Sequence, residues 1–360
     1  MKFGGAAAPN MSDWKLFVEL EGLGYDSAWV PDSHMIWSDP FPVLALVAAA
    51  TSRIRIGTGV ATAPTRLAPV LAHAIASINQ LAPGRTFLGI GSGHTSMRAM
   101  GFDTMKGPAF RDYLRVVRAL LHGKEVDYTL DGESRPIRFL HPDQGYIETD
   151  HPVQVYVGAD GPIALKAAGA HGDGRISSLD PTPERMAQAV ALARQGAADA
   201  GRPFPADFRA IGLTSCCVLR PGETLASDRV VDQTGATVIG MLHMWYELYR
   251  TWGDESIVPD ICREEWEHYL RLIDGWNIPK EKVHQRLHLG HATFLVPEER
   301  PLVTPAMIRA SGALVGEPDE IIARLKEQEA AGLQELVLLP SIEHAREVFR
   351  DFAEQIIPRY

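Results

Sequence analysis

Four stretches of the chain hold side chains suited to chemistry. The first, Pro31-Asp32-Ser33-His34-Met35-Ile36-Trp37, sets a carboxylate, an imidazole and an indole close together, a set able to hold a flat polar ring from several directions. The plainer use of Asp32 is to cap a loop or helix, and of Trp37 to fill the core. The second, Gly57-Thr58-Gly59-Val60, is small enough for a ligand to approach the backbone, or for tight packing. The third, Gly89-Ile90-Gly91-Ser92-Gly93-His94-Thr95-Ser96, carries an imidazole, His94, that can give or take a proton near neutral pH. It falls short of a dinucleotide-binding turn, because Ser96 stands where a third glycine is required. The fourth, Gly158-Ala159-Asp160-Gly161-Pro162, opens a helix and offers backbone N–H groups to an anion. Asp160 suits such a site only if it turns away and caps the helix. Arg175 either reaches the same anion or is solvated.

Other chemistries find no support. The chain lacks G-x-x-x-x-G-K-[ST], H-E-x-x-H and G-x-S-x-G. His284, His288 and His291 have helical spacing, but Lys280, Lys282, Gln285 and Arg286 around them predict a solvated helix face, not a metal site. The formal net charge of −10 argues against nucleic acid as a partner. With 46% hydrophobic and 22% charged residues, the chain of 360 residues is neither disordered nor a disulfide scaffold. Its three cysteines include no C-x-x-C pair and suit a reducing compartment. No leader pattern opens the sequence and no apolar run approaches 18 residues, so a cytoplasmic protein that spans no membrane is expected.

All four stretches lie at or just past the C-terminal ends of predicted strands. Apolar runs at Lys2–Ala8, Tyr25–Val30, Arg53–Val60, Arg85–Gly91, Val153–Gly158, Gly172–Ser178, Phe208–Leu219 and Glu335–Leu339 read as eight strands. Helical patterns separate them: 12–23 (capped by Ser12), 42–51, 69–81, 107–122, 162–170, 181–200, 318–331 and 343–357. Strict βα alternation requires parallel pairing, and eight units predict a closed (β/α)8 TIM barrel of class α/β over residues 1–360. Two segments interrupt it. Residues 124–150 form an excursion with short β-prone pieces at 126–130 and 136–140. Residues 221–305 form a helical insertion after strand seven, with helices around 235–252, 260–275 and 279–289. Insertions there lie over the C-terminal mouth, so this one is expected to be a lid or substrate wall.

The chain resembles the bacterial luciferase-like superfamily of flavin- and deazaflavin-dependent oxidoreductases. Within it, the likeness is to the coenzyme F420-dependent, methylenetetrahydromethanopterin reductase-like branch. The resemblance rests on 24–33 (GYDSAWVPDS), 48–60 (AAATSRIRIGTGV), 84–93 (GRTFLGIGSG), 153–174 and 316–320 (GEPDE). It implies a barrel that seats the cofactor ring at its mouth, with a non-proline cis peptide near Gly59-Val60 behind the ring and the cofactor phosphate on Gly158, Ala159, Asp160 and Gly161. Asp32 matches an aspartate that faces the deazaflavin, and Trp37 matches an active-site tryptophan of the sugar-phosphate dehydrogenase members. Thr58, Gly59, Val60, Gly91, Gly93 and Arg175 complete the expected cofactor contacts. Two departures stand out. Those members read Asp-His after strand two, where Ser33 here separates Asp32 from His34, and they carry a glutamate where His94 stands. The resemblance implies hydride transfer between coenzyme F420 and a small organic substrate, with His94 or His34 handling the proton, in a homodimer. An FMN-dependent monooxygenase and a non-catalytic flavin-binding homologue remain the alternatives.

Overall fold

The computed structural model describes residues 1–180 and 182–360. Twelve strands are present among them: β1 (Lys2–Ala6), β2 (Ser27–Val30), β3 (Arg55–Thr62), β4 (Thr86–Gly91), β5 (Val126–Leu130), β6 (Glu133–Ile137), β7 (Gln154–Gly158), β8 (Gly174–Ser178), β9 (Arg209–Thr214), β10 (Cys216–Val218), β11 (Leu314–Gly316) and β12 (Glu335–Leu338). Eight close into a parallel barrel in the order β1-β2-β3-β4-β7-β8-β9-β12, sealed by β1 against β12 with Lys2 opposite Glu335. The expected (β/α)8 barrel is therefore present. Every residue of β2 and β4 is buried, as parallel strands covered on both faces require.

The interior is filled. Trp29, Phe87 and Tyr156 pack with ring centroids 4.2–5.8 Å apart, joined by Ala6, Ile176, Ile211 and Val337. Beneath them the buried Glu335 accepts hydrogen bonds from Ser27 Oγ (2.5 Å), Trp29 Nε1 (3.1 Å) and Arg209 (3.0 Å). This plug closes the barrel interior, and in barrels of this kind the functional residues lie at the C-terminal rim.

Several element boundaries differ from expectation. Ser12 caps nothing: the first helix begins at Lys15 after Trp14 and ends where Gly24 takes φ +87°. The second helix starts earlier, at Pro40, because Asp39 Oδ1 accepts from Phe41 N at 2.9 Å. The expected strand 208–219 is two strands broken at Ser215. β9 stays in the wall, with Thr214 opposite Leu338, whereas β10 leaves it to pair with β11, Cys216 opposite Leu314. The excursion is a hairpin of β5 and β6, the second strand lying at 133–137 instead of 136–140. The expected start of one helix at Pro181 lies outside the described residues; that helix runs Pro183–Asp199, capped by Thr182.

The insertion spans the chain between β10 and β11 and has its own core of Val230, Ile239, Leu242, Trp245, Trp266, Tyr269 and Leu287. Its helices run Asp228–Trp252, Arg263–Asp274, Val283–Leu287 and Pro305–Ala310. It seats on the barrel rim. Thr237 Oγ1 donates to Leu339 O at 3.1 Å, and Ile342 N donates to Thr293 O at 3.2 Å. Among the described residues no helix is long and apolar enough to cross a membrane.

Candidate active site

The mouth of the barrel has an apolar floor. Val60, Leu213 and Leu339 pack on the interior rings yet stay partly exposed, so the top of the plug is open. Gly59 and Gly158 at the ends of β3 and β7 are also partly exposed. The Gly59–Val60 peptide is cis, as the resemblance implied, and the pairing of β3 with β4 slips there, between Thr58 and Ala61. Gly91 lets Val60 in: a Cβ there would come within 2.9 Å of the valine side chain.

One side of the mouth is organised by Asp32, two residues past β2 and 4% exposed. Its Oδ2 accepts from Thr62 N at 3.0 Å and from Arg66 at 2.5 Å. Its carbonyl accepts from the hydroxyls of Thr62 and Ser96, each at 2.8 Å. Arg66 also pairs with Asp39 at 2.7 Å. Burial alone would lower the Arg66 pKa, but the two aspartates outweigh it and raise the value. Asp32 thus ties the loops after β2, β3 and β4 together. Its Oδ1 is 3.6 Å from His34 Nδ1, which has no hydrogen bond. Trp37 Nε1 donates to Thr293 Oγ1 of the insertion at 2.9 Å, and its ring lies 5.8 Å from that of His291.

The other side carries His94, first residue of a short helix, His94–Ala99, absent from the sequence reading. Gly93 precedes it at φ +89°, a conformation that favours glycine. The His94 side chain is 46% exposed, and its Nε2 lies 3.8 Å from Glu247 Oε2 of the insertion. Protein packed around one side of the half-exposed ring strips part of its hydration and lowers the His94 pKa; Glu247 opposes this, while Arg98 and His288 add to it. The expectation of a solvated face for His288 and His291 fails. His288 is buried, with Nε2 2.9 Å from Glu247 Oε1. Burial, helped by His288, His243 and His94, pushes His291 down to about 3. The residues flanking these histidines are polar because they face outward, while the imidazoles turn in toward the rim. His284 packs against Gly101. Among the described residues no cluster of metal-ligating side chains exists.

Three expected cofactor contacts point elsewhere. Thr58 is fully buried, and its hydroxyl donates to Gly89 O at 2.6 Å within the wall. Ala159 is buried in the main core and its N–H is bonded to Ile176 O at 3.0 Å. Arg175 is 1% exposed, donating to Ser177 Oγ at 2.8 Å and ion-paired to Asp180. It therefore braces the loop after β8 from inside. Asp160 does not cap the following helix, whose N-cap is Gly161 without a side-chain bond. Asp160 and Gly161 are both exposed beside the mouth strand β7. Sequence reading missed Glu247, Arg98, Arg66, Thr62 and Ser96; only the abundance of His and aromatic residues in the insertion hinted at the first.

The model of the family described as luciferase-like monooxygenase matches residues 14–335. An F420-dependent glucose-6-phosphate dehydrogenase of Gordonia bronchialis is 28% identical over 385 residues, covering 100% of this chain and 97% of that protein. A 5,10-methylenetetrahydromethanopterin reductase of Archaeoglobus fulgidus is 35% identical over 344 residues, covering 94% of this chain and 92% of that protein. Among solved structures, the coenzyme F420 dependent tetrahydromethanopterin reductase of Methanopyrus kandleri superposes with a TM-score of 0.69 at 20% identity, covering 100% and 99% of the two chains. With the barrel, the Gly59–Val60 peptide and a match over nearly the whole length in agreement, the chain belongs to the luciferase-like monooxygenase family.

Proposed function

We propose that this chain is an oxidoreductase that uses coenzyme F420 to move a hydride to or from a small organic substrate at the barrel mouth. The observation that carries the reading is the open apolar floor of Val60, Leu213 and Leu339, walled by imidazoles, in a chain whose full-length relatives bear F420-dependent names. The residues present fit such a group. A flat ring needs an apolar bed and polar partners at its edge, and His34 Nδ1, Arg98 Nε and His288 Nδ1 are buried at the rim with no hydrogen bond. Trp37, Gly59 and Val60 line the bed, and the exposed turn at Asp160–Gly161, followed by a helix N-terminus, would take the phosphate on its backbone; Asp160 does not cap that helix, so its exposed carboxylate would have to turn to solvent. When bound, the deazaflavin supplies a two-electron hydride donor or acceptor.

The chain's own residues do the rest. The floor and the insertion exclude water and fix the substrate's approach. Asp32 holds the rim loops in register. His94, with its pKa lowered, is a neutral base at pH 7 and takes the substrate's hydroxyl or amine proton at its ring nitrogen. His34 is the other candidate for that step.

The second reading, an FMN-dependent monooxygenase, is favoured by the family's own description. Titrating the purified protein with coenzyme F420 and with FMN separates the two. Saturable binding of F420 alone is expected, and binding of FMN alone would transfer the assignment to the monooxygenase. Binding without turnover of any carbonyl, imine or nitro compound would leave a non-catalytic flavin-binding protein. A cytoplasmic homodimer is part of the same proposal, and light scattering on the purified protein tests the dimer.

A further inference from the structure

We propose that Glu247 is a positioning residue supplied by the insertion: its carboxylate holds the Nε2 side of His94 and leaves Nδ1 as the atom that exchanges a proton with substrate. The inference deepens the function proposed above and rests on its placing of His94 at the mouth.

Glu247 lies on the helix Asp228–Trp252, and its carboxylate is only 7% exposed. A carboxylate at that depth is costly unless cations and donors surround it. The groups that do so come from two separate parts of the fold. His288 Nε2 holds Oε1 at 2.9 Å from within the insertion. On the barrel side, His94 Nε2 and Arg98 Nε stand 3.8 and 3.7 Å from Oε2. Arg98 Nε and His288 Nδ1 are buried with no hydrogen bond, so the cluster has capacity left over. The gap to His94 is an ion-pair separation, and closing by less than about 1 Å makes it a hydrogen bond, the kind of tightening that follows substrate binding.

An imidazole beside a carboxylate keeps its proton on the nitrogen that faces it. With Nε2–H turned to Glu247, Nδ1 carries the lone pair. In the oxidising direction Nδ1 would take the substrate's O–H or N–H proton, and the bound deazaflavin would supply the hydride acceptor for the adjacent C–H. His94 becomes a cation, and Glu247 offsets that charge. In the reducing direction the same proton returns from Nδ1. A cavity of about 210 Å3, lined in part by Arg98, Glu247, Arg250 and His284, lies against the same carboxylate.

The test reads His94 directly, without cofactor. In protein labelled with 15N-histidine, His94 is assigned by its loss in His94→Gln, and its titration is followed by NMR. The charged groups facing His94 are Glu247, Arg98 and His288, with His291 beyond, and only Glu247 favours the protonated form. Glu247→Gln should therefore move the His94 midpoint down by about one pH unit. The acid limb of kcat/KM should move with it, and kcat should fall roughly tenfold. Glu247→Asp keeps the charge, gives an intermediate midpoint and guards against loss of folding in the first variant. An unchanged midpoint in both variants would overturn the proposal. Failure to bind F420 would instead sink the proposed function and leave this pairing standing.

Discussion

The carboxylate of Asp32 is shared between a backbone N–H, Thr62 N, and a guanidinium, Arg66, at nearly complete burial. Arg66 reaches a second carboxylate, Asp39, that is half exposed. The two ion pairs are alike in distance and unlike in solvation, and solvation decides their value. Asp32→Asn should cost about 3 kcal/mol in urea unfolding, because it leaves a largely buried guanidinium without its nearest charge. Asp39→Asn should cost less than about 1 kcal/mol, since the amide still caps the helix and the exposed pair is screened. Equal losses would mean that Asp32 contributes nothing special to the rim. His94 gives a kinetic counterpart. Burial lowers its pKa from 6.5, so the base form persists into mild acid and the acid limb of kcat/KM should lie below pH 6.5. His94→Gln should abolish that limb and lower kcat at least about 100-fold; a limb that survives would move the proton to His34. Asp32, His34, Trp37 and His94 were legible because their types are unusual just after strand ends. Thr58 and Arg175 were not, since a side chain's direction turns on strand parity and on partners such as Gly89 O and Asp180 that no local pattern announces. Glu247 lies far along the chain from the histidine it faces, and only the folded insertion brings them together.

The helices Pro162–His171 and Pro183–Asp199 meet backbone to backbone through two glycines. A Cβ on Gly169 would lie 1.7 Å from Ala193 O, and one on Gly196 would lie 2.0 Å from Lys166 O. Neither carbonyl can retreat without moving its helix. Gly169→Ala should therefore cost about 2–3 kcal/mol, read as a lowered denaturation midpoint at unchanged slope. Because the first of these helices begins at the turn proposed for the cofactor phosphate, F420 affinity should fall as well. A neutral variant would show that the two helices separate freely. At this level much of the fold was readable. Parallel strands covered on both faces leave continuous apolar runs, and glycine or proline punctuates them. The break at Ser215 was not readable, because β9 and β10 differ only in their partners. One pairs with β12 in the wall and the other with β11 at the exit of the insertion, although both are largely apolar and buried. The helix His94–Ala99 is too short, at six residues, to leave an apolar period.

The seam between insertion and barrel holds several imidazoles, and these make the molecule sensitive to acid. His291 packs beside Trp37 of the barrel, and its pKa is pushed down to about 3, by burial first and then by His288, His243 and His94. Burial also lowers His94 and His122, and pushes His171 down to about 4, with neighbouring arginines adding to the effect at His171. In the unfolded chain each of these takes up a proton near pH 6.5, while in the folded protein it does so only at lower pH. Folding stability is therefore complete above pH 6.5 and declines as the pH falls from there, by as much as about 1.4 kcal/mol per pH unit at each of His291 and His171 and by less at the half-exposed His94. Carboxylates with lowered pKa, Glu21, Glu148 and Glu223 (the last held at about 2 by Arg229), act in the same sense once the pH nears their ordinary 4.5. Asp351, raised by burial, acts against it. Urea unfolding between about pH 7 and pH 4.5 should show stability falling throughout. His291→Phe keeps a flat ring against Trp37 and removes the titrating group, so it should reduce the slope below pH 6 by close to one proton. A stability that holds constant or rises on acidification, or a His291→Phe slope equal to that of the natural chain, would mean that water already reaches the seam and that the insertion does not close the mouth.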